Sequence, residues 1–268
     1  MTKETTNNQS SQIDIIQQPR VYLVGRQTIE HRDMDKFLAD YGMEWNPDST
    51  VAGEILAEAG GRLCYMSFGK GRSTSAEYME NILSSGHGSV TEHAIWNFII
   101  TGVSRSFTHE LIRHRAGFGY SQLSQRYVNE SNTQFVEPDV IANNPKAHDI
   151  WTSSIKHSLD AYKELAQVLR EEYSEVESRT LRRKLARQAA RSVLPNATET
   201  KIFVTANARA LRHFIELRGN EHAEIEIRKV ATEILTIMKS ESPNLFADYE
   251  VTPIDDGTEI VTTEYPKV

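Results

Sequence analysis

A single cysteine, Cys64, is the entire thiol content of this chain of 268 residues, so no disulfide can close within it. That excludes a disulfide-stapled secreted scaffold and suits a reducing cytoplasm. Long apolar runs are missing as well. None nears the roughly 20 residues that span a bilayer, so no membrane partner is expected. Positive charge is the minority, with 30 Lys and Arg against 37 Asp and Glu and a net charge of −7. A globally basic nucleic-acid binder is therefore not expected, and any anion site must be a local patch. The opening stretch MTKETTNNQSSQ lacks an apolar core, so it does not read as a signal peptide. Residues 1–18 are expected to form a disordered polar tail. No repeat or low-complexity linker follows, and residues 19–268 are expected to form one domain.

What is present reads as a mixture of strands and helices. VYLVG at 21–25, AIWNFIIT at 94–101 and TKIFVTA at 200–206 are rich in β-branched and aromatic residues and predict strands. Apolar spacing predicts helices over 51–64, 76–85, 106–114, 151–176, 179–191, 207–218 and 223–238. The faces are Ile55, Leu56, Ala59 and Leu63 in the first of these, and Ile155, Leu159, Tyr162, Leu165, Leu169 and Tyr173 in 151–176. Leu211, Phe214, Ile215 and Leu217 are expected in the core, as are Ile227, Val230, Ile234 and Met238. Residues 26–50 lack one clear period, and 129–147 reads as a long loop. VTPIDDGTEIVTTE near the end offers a turn and an edge strand. Elements mix without strict alternation, which predicts an α+β fold rather than a doubly wound sheet.

The densest chemistry lies between positions 105 and 126, in RSFTHELIRHRAGFGYSQLSQR. With histidines neutral this stretch carries +3, from Arg105, Arg113, Arg115 and Arg126 against Glu110. Clustered cations call for an anion among them. Arg105, His109 and Arg113 are spaced to share a helical face. Gly117 and Gly119 form a Gly-Phe-Gly bend where backbone N–H groups could approach a ligand. SQLSQR adds hydroxyls, amides and a guanidinium. Arginine forks suit phosphate and amides read a base edge, so the pattern fits a phosphorylated, nitrogen-rich ligand such as a nucleotide. A solvated charged helix followed by a turn is the alternative. HELIRH also looks like a zinc-protease helix. Its two histidines are five apart rather than four, about 140° around a helix, and no metal site is expected.

Two further stretches carry polar groups at element ends. GHGSVTEH holds His87, Ser89, Glu92 and His93 between a helix and a strand, as ligand groups or as surface and capping residues. In NARALRHFIELR, Asn207 and Arg209 open a helix, where backbone donors favour anions, and His213 shares a face with Arg209. Arg218 closes that helix. These four are ligand groups or the wet side of an amphipathic helix. Arg183, Arg187 and Arg191 make a basic stripe; nucleic-acid binding along it is disfavoured by the acidic balance.

RHRAGFGYSQLSQRYV resembles the signature of flavin-dependent thymidylate synthases: Arg-His-Arg, a short spacer, then Ser followed two residues later by Arg. GHGSVTEHA, TGVSRSFTHELIRHR, RRKLARQAARSVLPNATET and NARALRHFIELR with EHAEIEIR are similar to further blocks of that family, in its order, so the resemblance covers residues 21–251. One departure is the spacer between Arg115 and Ser124, residues 116–123, one longer than the family's usual seven.

The resemblance implies a central, mostly antiparallel sheet with flanking helices, and a cytoplasmic homotetramer with active sites at subunit interfaces. It implies FAD as cofactor, NADPH as reductant and methylene-tetrahydrofolate as carbon donor, with dUMP converted to dTMP. By position, Ser89, Arg113, His114, Arg115, Gln122, Asn207, Arg209 and His213 would hold FAD. Arg105, Glu110, Arg113, Gln122, Leu123, Ser124, Gln125, Arg126, Arg191 and Arg218 would hold dUMP. Arg218 would be the catalytic group at the uracil, and His87 would lie near folate and flavin. A relative with altered pyrimidine-nucleotide specificity is the second reading, motivated by the longer spacer.

Chemistry agrees with the resemblance. C5 of uracil is a poor nucleophile, and an enzyme cysteine adding to C6 is one remedy. Cys64, in RLCYMSFG, does not resemble such a nucleophile segment and is expected to pack in the core. A reduced flavin is the other remedy, leaving the protein to bind, orient and polarise. Ser124 is then a ligand contact rather than a nucleophile.

Overall fold

The computed structural model describes residues 13–267. In chain order they form β1 (Asp14–Ile16), β2 (Arg20–Arg26), α1 (His31–Asp40), α2 (Ala52–Tyr65), α3 (Ser75–Ser84), α4 (Gly88–Thr91), β3 (Ile95–Ser104), α5 (Arg105–Leu111) and β4 (Phe118–Gln122). There follow β5 (Gln134–Val136), α6 (Asp139–Ala142), α7 (Pro145–Glu172), α8 (Arg179–Ala190), β6 (Glu199–Asn207), α9 (Ala208–Arg218), α10 (Ile225–Glu241), α11 (Pro243–Phe246), β7 (Tyr249–Pro253) and β8 (Glu259–Thr263). The α+β class is borne out. The residues divide into two compact units, Gln18–Gln122 with the chain from Thr200 onward, and residues 13–17 with Leu123–Glu199.

The larger unit is built on a four-stranded sheet in the order β2-β3-β6-β4, with β2–β3 and β4–β6 antiparallel. Alternation puts Trp96, Phe98 and Ile100 of β3 and Ile202, Val204 and Ala206 of β6 into one core. Leu211, Phe214 and Ile215 of α9 and Ile227, Val230, Ile234 and Met238 of α10 join it. Leu217, expected inside, is half exposed. The C-terminal turn is the hairpin β7–β8.

Helix α2 departs furthest from expectation. Its buried ridge includes Glu54, Glu58 and Arg62, while Leu63 and Cys64 are exposed. Cys64 therefore does not pack in the core; it lies off the ridge set by Ile55, Glu58, Ala59 and Arg62, and its thiol donates to the Gly60 carbonyl at 3.4 Å. Burial of the charges is offset by local partners. Glu54 accepts from Ser49 Oγ, Ser242 Oγ and both nitrogens of Asn244, at 2.6 to 2.9 Å. Arg62 donates to Glu58 at 2.7 Å and to the carbonyls of Ser67, Lys70 and Arg72. The stretch 26–50, which showed no period, contains α1.

The smaller unit pairs β1 with β5 in parallel, Ile15 opposite Phe135. The tail drawn through residue 18 is thus corrected over 14–16, where Ile13, packed on Phe135, Ile155 and Leu159, anchors an ordered strand. Residues 1–12 of that expected tail lie outside the described residues. Helix α7 starts six residues before the expected 151, because Asn144 caps the Ala147 amide and Pro145 takes the first helical position. Ile155, Leu159 and Tyr162 are buried as expected, but Ala166 rather than Leu165 continues the stripe. The loop expected at 129–147 holds β5 and α6.

Arg212 ties α9 to the C-terminal hairpin. Only 1% exposed, it forks onto Asp248 at 2.7 and 2.8 Å, donates to the Leu245 carbonyl and lies over the Tyr249 ring. Arg212→Ala would strand the Asp248 carboxylate, and a loss of about 3–5 kcal/mol is expected for breaking such a pair, measured by urea unfolding.

Candidate active site

Helix α5 sets the geometry of the site. Ser104 caps it, accepting from Phe107 N at 3.0 Å, and the helix stops after Leu111. Turn bonds from Arg113 N to Glu110 O and from His114 N to Leu111 O then close the chain. The Tyr120 hydroxyl, reaching back from β4, donates to the Leu111 and His114 carbonyls at 3.0 and 2.7 Å. Burial pushes the Tyr120 phenol up, so it stays a donor. Arg113 is accordingly beyond the helix and does not share a helical face with Arg105 and His109, as its spacing had suggested.

A second turn follows. Phe118 N donates to Arg115 O at 3.2 Å, and Gly117 takes the left-handed φ of +74° that the turn requires. The expected Gly-Phe-Gly bend is thus a bend at Gly117 alone; Phe118 and Gly119 are already strand. The Gly117 carbonyl accepts from Asn207 N at 3.1 Å, and a methyl group at Gly117 would sit 2.7 Å from the Asn207 amide. Asn207 itself caps α9 through Oδ1 to Ala210 N at 2.9 Å. Its Nδ2 has no protein partner among the described residues.

The turn between α5 and β4 drops His114 beneath α9. The imidazole is buried, edge-on to Phe214 at 5.1 Å between ring centres and 5.9 Å from His213. Arg218, at the last residue of α9, donates from Nε to His114 Nε2 at 3.0 Å and from Nη1 to Glu110 Oε2 at 2.9 Å. An accepting Nε2 puts the imidazole proton on Nδ1. Burial first, then the Arg218 and His213 charges, lower the His114 pKa from about 6.5 to about 4. Neutral His114 and anionic Glu110 together hold the guanidinium.

The structure therefore brings Glu110, His114, His213 and Arg218 together, with Asn207 at the other end of α9. Gln122 sits on β4, donating to Thr108 Oγ1 at 3.1 Å and Thr200 Oγ1 at 3.3 Å. Arg113 and Arg115 flank His114, both exposed, and no side-chain acceptor among the described residues pairs with either. Arg105 opens α5, half-buried. Arg209 is already engaged, donating to Glu92 at 2.6 Å, and that pair is exposed. His87 and Ser89 are exposed around the one-turn helix α4. Sequence reasoning missed Tyr120 and Thr108, whose roles are contacts that no local signal announces.

The remaining predicted residues belong to the smaller unit. Ser124 starts a turn that accepts from Tyr127 N and Val128 N. Arg126 and Lys184 flank the Tyr127 ring at 5.5 and 5.2 Å, and a hydrogen bond from Lys184 lowers the Tyr127 pKa. Arg187 donates to the Tyr127 carbonyl at 2.6 Å, so it is not part of a free basic stripe. Arg191 follows α8 in a short 3-10 turn. Leu123 is half-buried, and Gln125 is buried with its Nε2 lacking an acceptor among the described residues.

Comparison with known proteins gives the same direction. The family described as Thymidylate synthase complementing protein matches residues 48–244. The flavin-dependent thymidylate synthase of Mycolicibacterium gilvum (strain PYR-GCK) is 48% identical over 231 residues, covering 85% of this chain and 92% of that protein. Its counterpart from Mycobacterium avium (strain 104) is 47% identical over 230 residues, covering 85% and 91%. Crystal structures of the UMP/dUMP methylase PolB from Streptomyces cacaoi, bound with 5-Br UMP and 5-Br dUMP, share the fold at a TM-score of 0.62. They are 21% and 22% identical, covering 88% of this chain and 95% and 96% of theirs. This chain belongs to the flavin-dependent thymidylate synthase family.

Two outcomes follow from the geometry. Gly117→Ala combines a left-handed φ with a clash on Asn207 and is expected to cost about 1–3 kcal/mol, read by urea unfolding. His114, with its folded pKa depressed, takes up a proton more readily when unfolded. Stability is then complete above pH ~6.5 and falls as pH drops towards about 4. Melting temperatures across that window should fall, and His114→Gln should remove part of the slope.

Proposed function

We propose that this chain is a flavin-dependent thymidylate synthase that methylates dUMP to dTMP, acting in the cytoplasm as a homotetramer. One observation carries the reading. On a body of net charge −7, the Arg113 and Arg115 guanidinium groups stand exposed without acidic partners among the described residues, on either side of buried His114. Cations left so in an acidic protein suit an anionic ligand.

The residues present fit a flavin dinucleotide. Arg113 and Arg115 offer forks for its diphosphate, and the unpartnered Nδ2 of Asn207 and the exposed ring of His213 offer polar contacts to its rings. Ser89, His114, Gln122 and Arg209 complete the proposed set, with Arg209 released from Glu92. Bound FAD, reduced by NADPH, would supply hydride and carry the carbon drawn from methylene-tetrahydrofolate.

The chain's own work is binding, orientation and charge. Arg218, fixed by His114 and Glu110, would face the pyrimidine and stabilise negative charge on the ring and loss of the N3 proton. Arginine stays protonated at all working pH values, so this is electrostatic help and not proton acceptance. Arg105, Glu110, Arg113 and Gln122 are proposed contacts to the nucleotide. Leu123, Ser124, Gln125, Arg126 and Arg191 are proposed for the same ligand, each open to test by its own variant. The acceptor-less amide of buried Gln125 supports its assignment. His87 is proposed beside folate and flavin.

The test is an absorption spectrum of the purified protein, then anaerobic mixing of its reduced form with dUMP and methylene-tetrahydrofolate. Flavin bands, dUMP-dependent reoxidation and dTMP are expected. Reconstituted protein that binds no flavin would overturn the reading. Arg218→Ala should keep its flavin bands and lose roughly 100-fold or more in kcat, the scale of one charge-stabilising donor. Ser124→Ala should retain measurable turnover, since no covalent serine is involved.

A further inference from the structure

Gln122, the last residue of β4, spends one half of its amide inside the fold. Its Nε2 donates to Thr108 Oγ1 at 3.1 Å and to Thr200 Oγ1 at 3.3 Å, so both amide hydrogens are used. Its Oε1 has no protein partner among the described residues. Which end of such an amide faces inward depends on what the inner partners can offer. Thr108 decides it. Its single hydroxyl proton goes to the Arg105 carbonyl at 2.9 Å, one turn back along α5. The Thr108 oxygen is left as an acceptor only, and an acceptor calls for N–H.

Burial makes the orientation firm. Thr108 is 1% exposed and Thr200 0%. Turning the amide over would set Oε1 against the Thr108 oxygen, acceptor against acceptor, where solvent does not reach. The Thr200 hydroxyl makes no other bond among the described residues and can donate or accept, so it suits either orientation. Thr108 suits one. Gln122 itself is half-buried, and its oxygen is the amide atom left for a ligand.

Resting on the reading of Gln122 as a ligand contact, we propose that Thr108 is a positioning residue that locks the Gln122 amide with its oxygen free, so that Gln122 recognises an uncharged N–H or O–H donor on dUMP or on the flavin ring and not a phosphate. Phosphate oxygens accept, and an amide whose hydrogens are both spent has nothing to give them. The phosphate groups are left to the guanidinium side chains. On dUMP the available donors are the sugar hydroxyl and the imide N–H of the base. On the flavin ring the matching donor is its own imide N–H.

Thr108→Val, Thr108→Ser and Thr200→Val in the full-length protein test this. Each of three probes blocks one donor: dUMP lacking its sugar hydroxyl, dUMP methylated on its imide nitrogen, and FAD methylated on its imide nitrogen. The nucleotides are titrated into the holoenzyme and followed by flavin absorption. The altered FAD is reconstituted into protein stripped of flavin and followed by fluorescence, so neither readout needs turnover. One probe should bind the wild type about tenfold or more weakly than its parent, the scale of one hydrogen bond, and its identity names the donor. That gap should shrink by about threefold or more in Thr108→Val, whose amide is released to turn over. It should persist in Thr108→Ser, which keeps the hydroxyl, and in Thr200→Val, where Thr108 still holds the amide. Neutron diffraction from crystals without nucleotide should show deuterium on the amide atom facing Thr108. The proposal is overturned by probes that all bind within about twofold of their parents. A gap unchanged in Thr108→Val, a gap lost in Thr108→Ser or Thr200→Val, or an amide oxygen facing Thr108 would overturn it as well. Protein that binds no flavin would count against the proposed function instead, with the neutron density still deciding how the amide sits.

Discussion

A guanidinium kept in place needs acceptors that do not swallow its charge, and Arg218 has one neutral and one anionic: His114 Nε2 and Glu110 Oε2. Much of the local architecture serves that arrangement. Helix α5 must end at Leu111 so that the chain can turn His114 inward, and the Tyr120 hydroxyl stabilises the ending by taking two carbonyl groups. Gly117 must turn again to start β4 beside β6. Helix α9 delivers Arg218 at its own C-terminus, where the helix dipole favours a cation. His114 works as an acceptor only while uncharged, and its burial against Phe214 ensures that.

Charge is handled differently elsewhere in the larger unit. Buried Arg212 has Asp248, buried Arg62 has Glu58, and buried Glu54 has four donors from Ser49, Ser242 and Asn244. These groups are paired within the fold, although Arg212 Nε and Glu58 Oε2 stay buried without a hydrogen-bond partner among the described residues. Arg113 and Arg115 are the contrast, exposed and without acidic partners among the described residues. An overall acidic protein with such a local cationic feature repels polyanions at long range and attracts a small anionic ligand at short range.

Part of this was readable in advance. The two long strands with alternating apolar residues lie where 94–101 and 200–206 predicted, and the core face of α10 is the one its spacing gave. The blocks around RHRAGFGYSQLSQRY carry the family resemblance in the linear chain. Harder were the short elements. Helix α1 has no clean apolar period, and β4 hides in a glycine-bearing stretch because its strand character comes from pairing with β6 rather than from its own composition. Hydrophobicity alone puts Cys64 and Leu63 inside, yet α2 buries glutamates and an arginine instead: Arg62 is paired within ten residues, while Glu54 depends on Ser242 and Asn244, distant in sequence.

What the sequence determined by itself was the set of chemical groups: one thiol, a cluster of arginines around a histidine, a glycine able to turn, and polar residues opening and closing helices. Periodicity and capping are local, so they survive in the linear chain. Which of those groups meet was decided only by the tertiary structure. Arg218 lies 104 residues from His114 and 108 from Glu110, and no local rule pairs them. Their contact depends on where α5 stops and α9 ends, and so does the environment that keeps His114 neutral. Burial and proximity shift proton affinities, and both are properties of the folded arrangement.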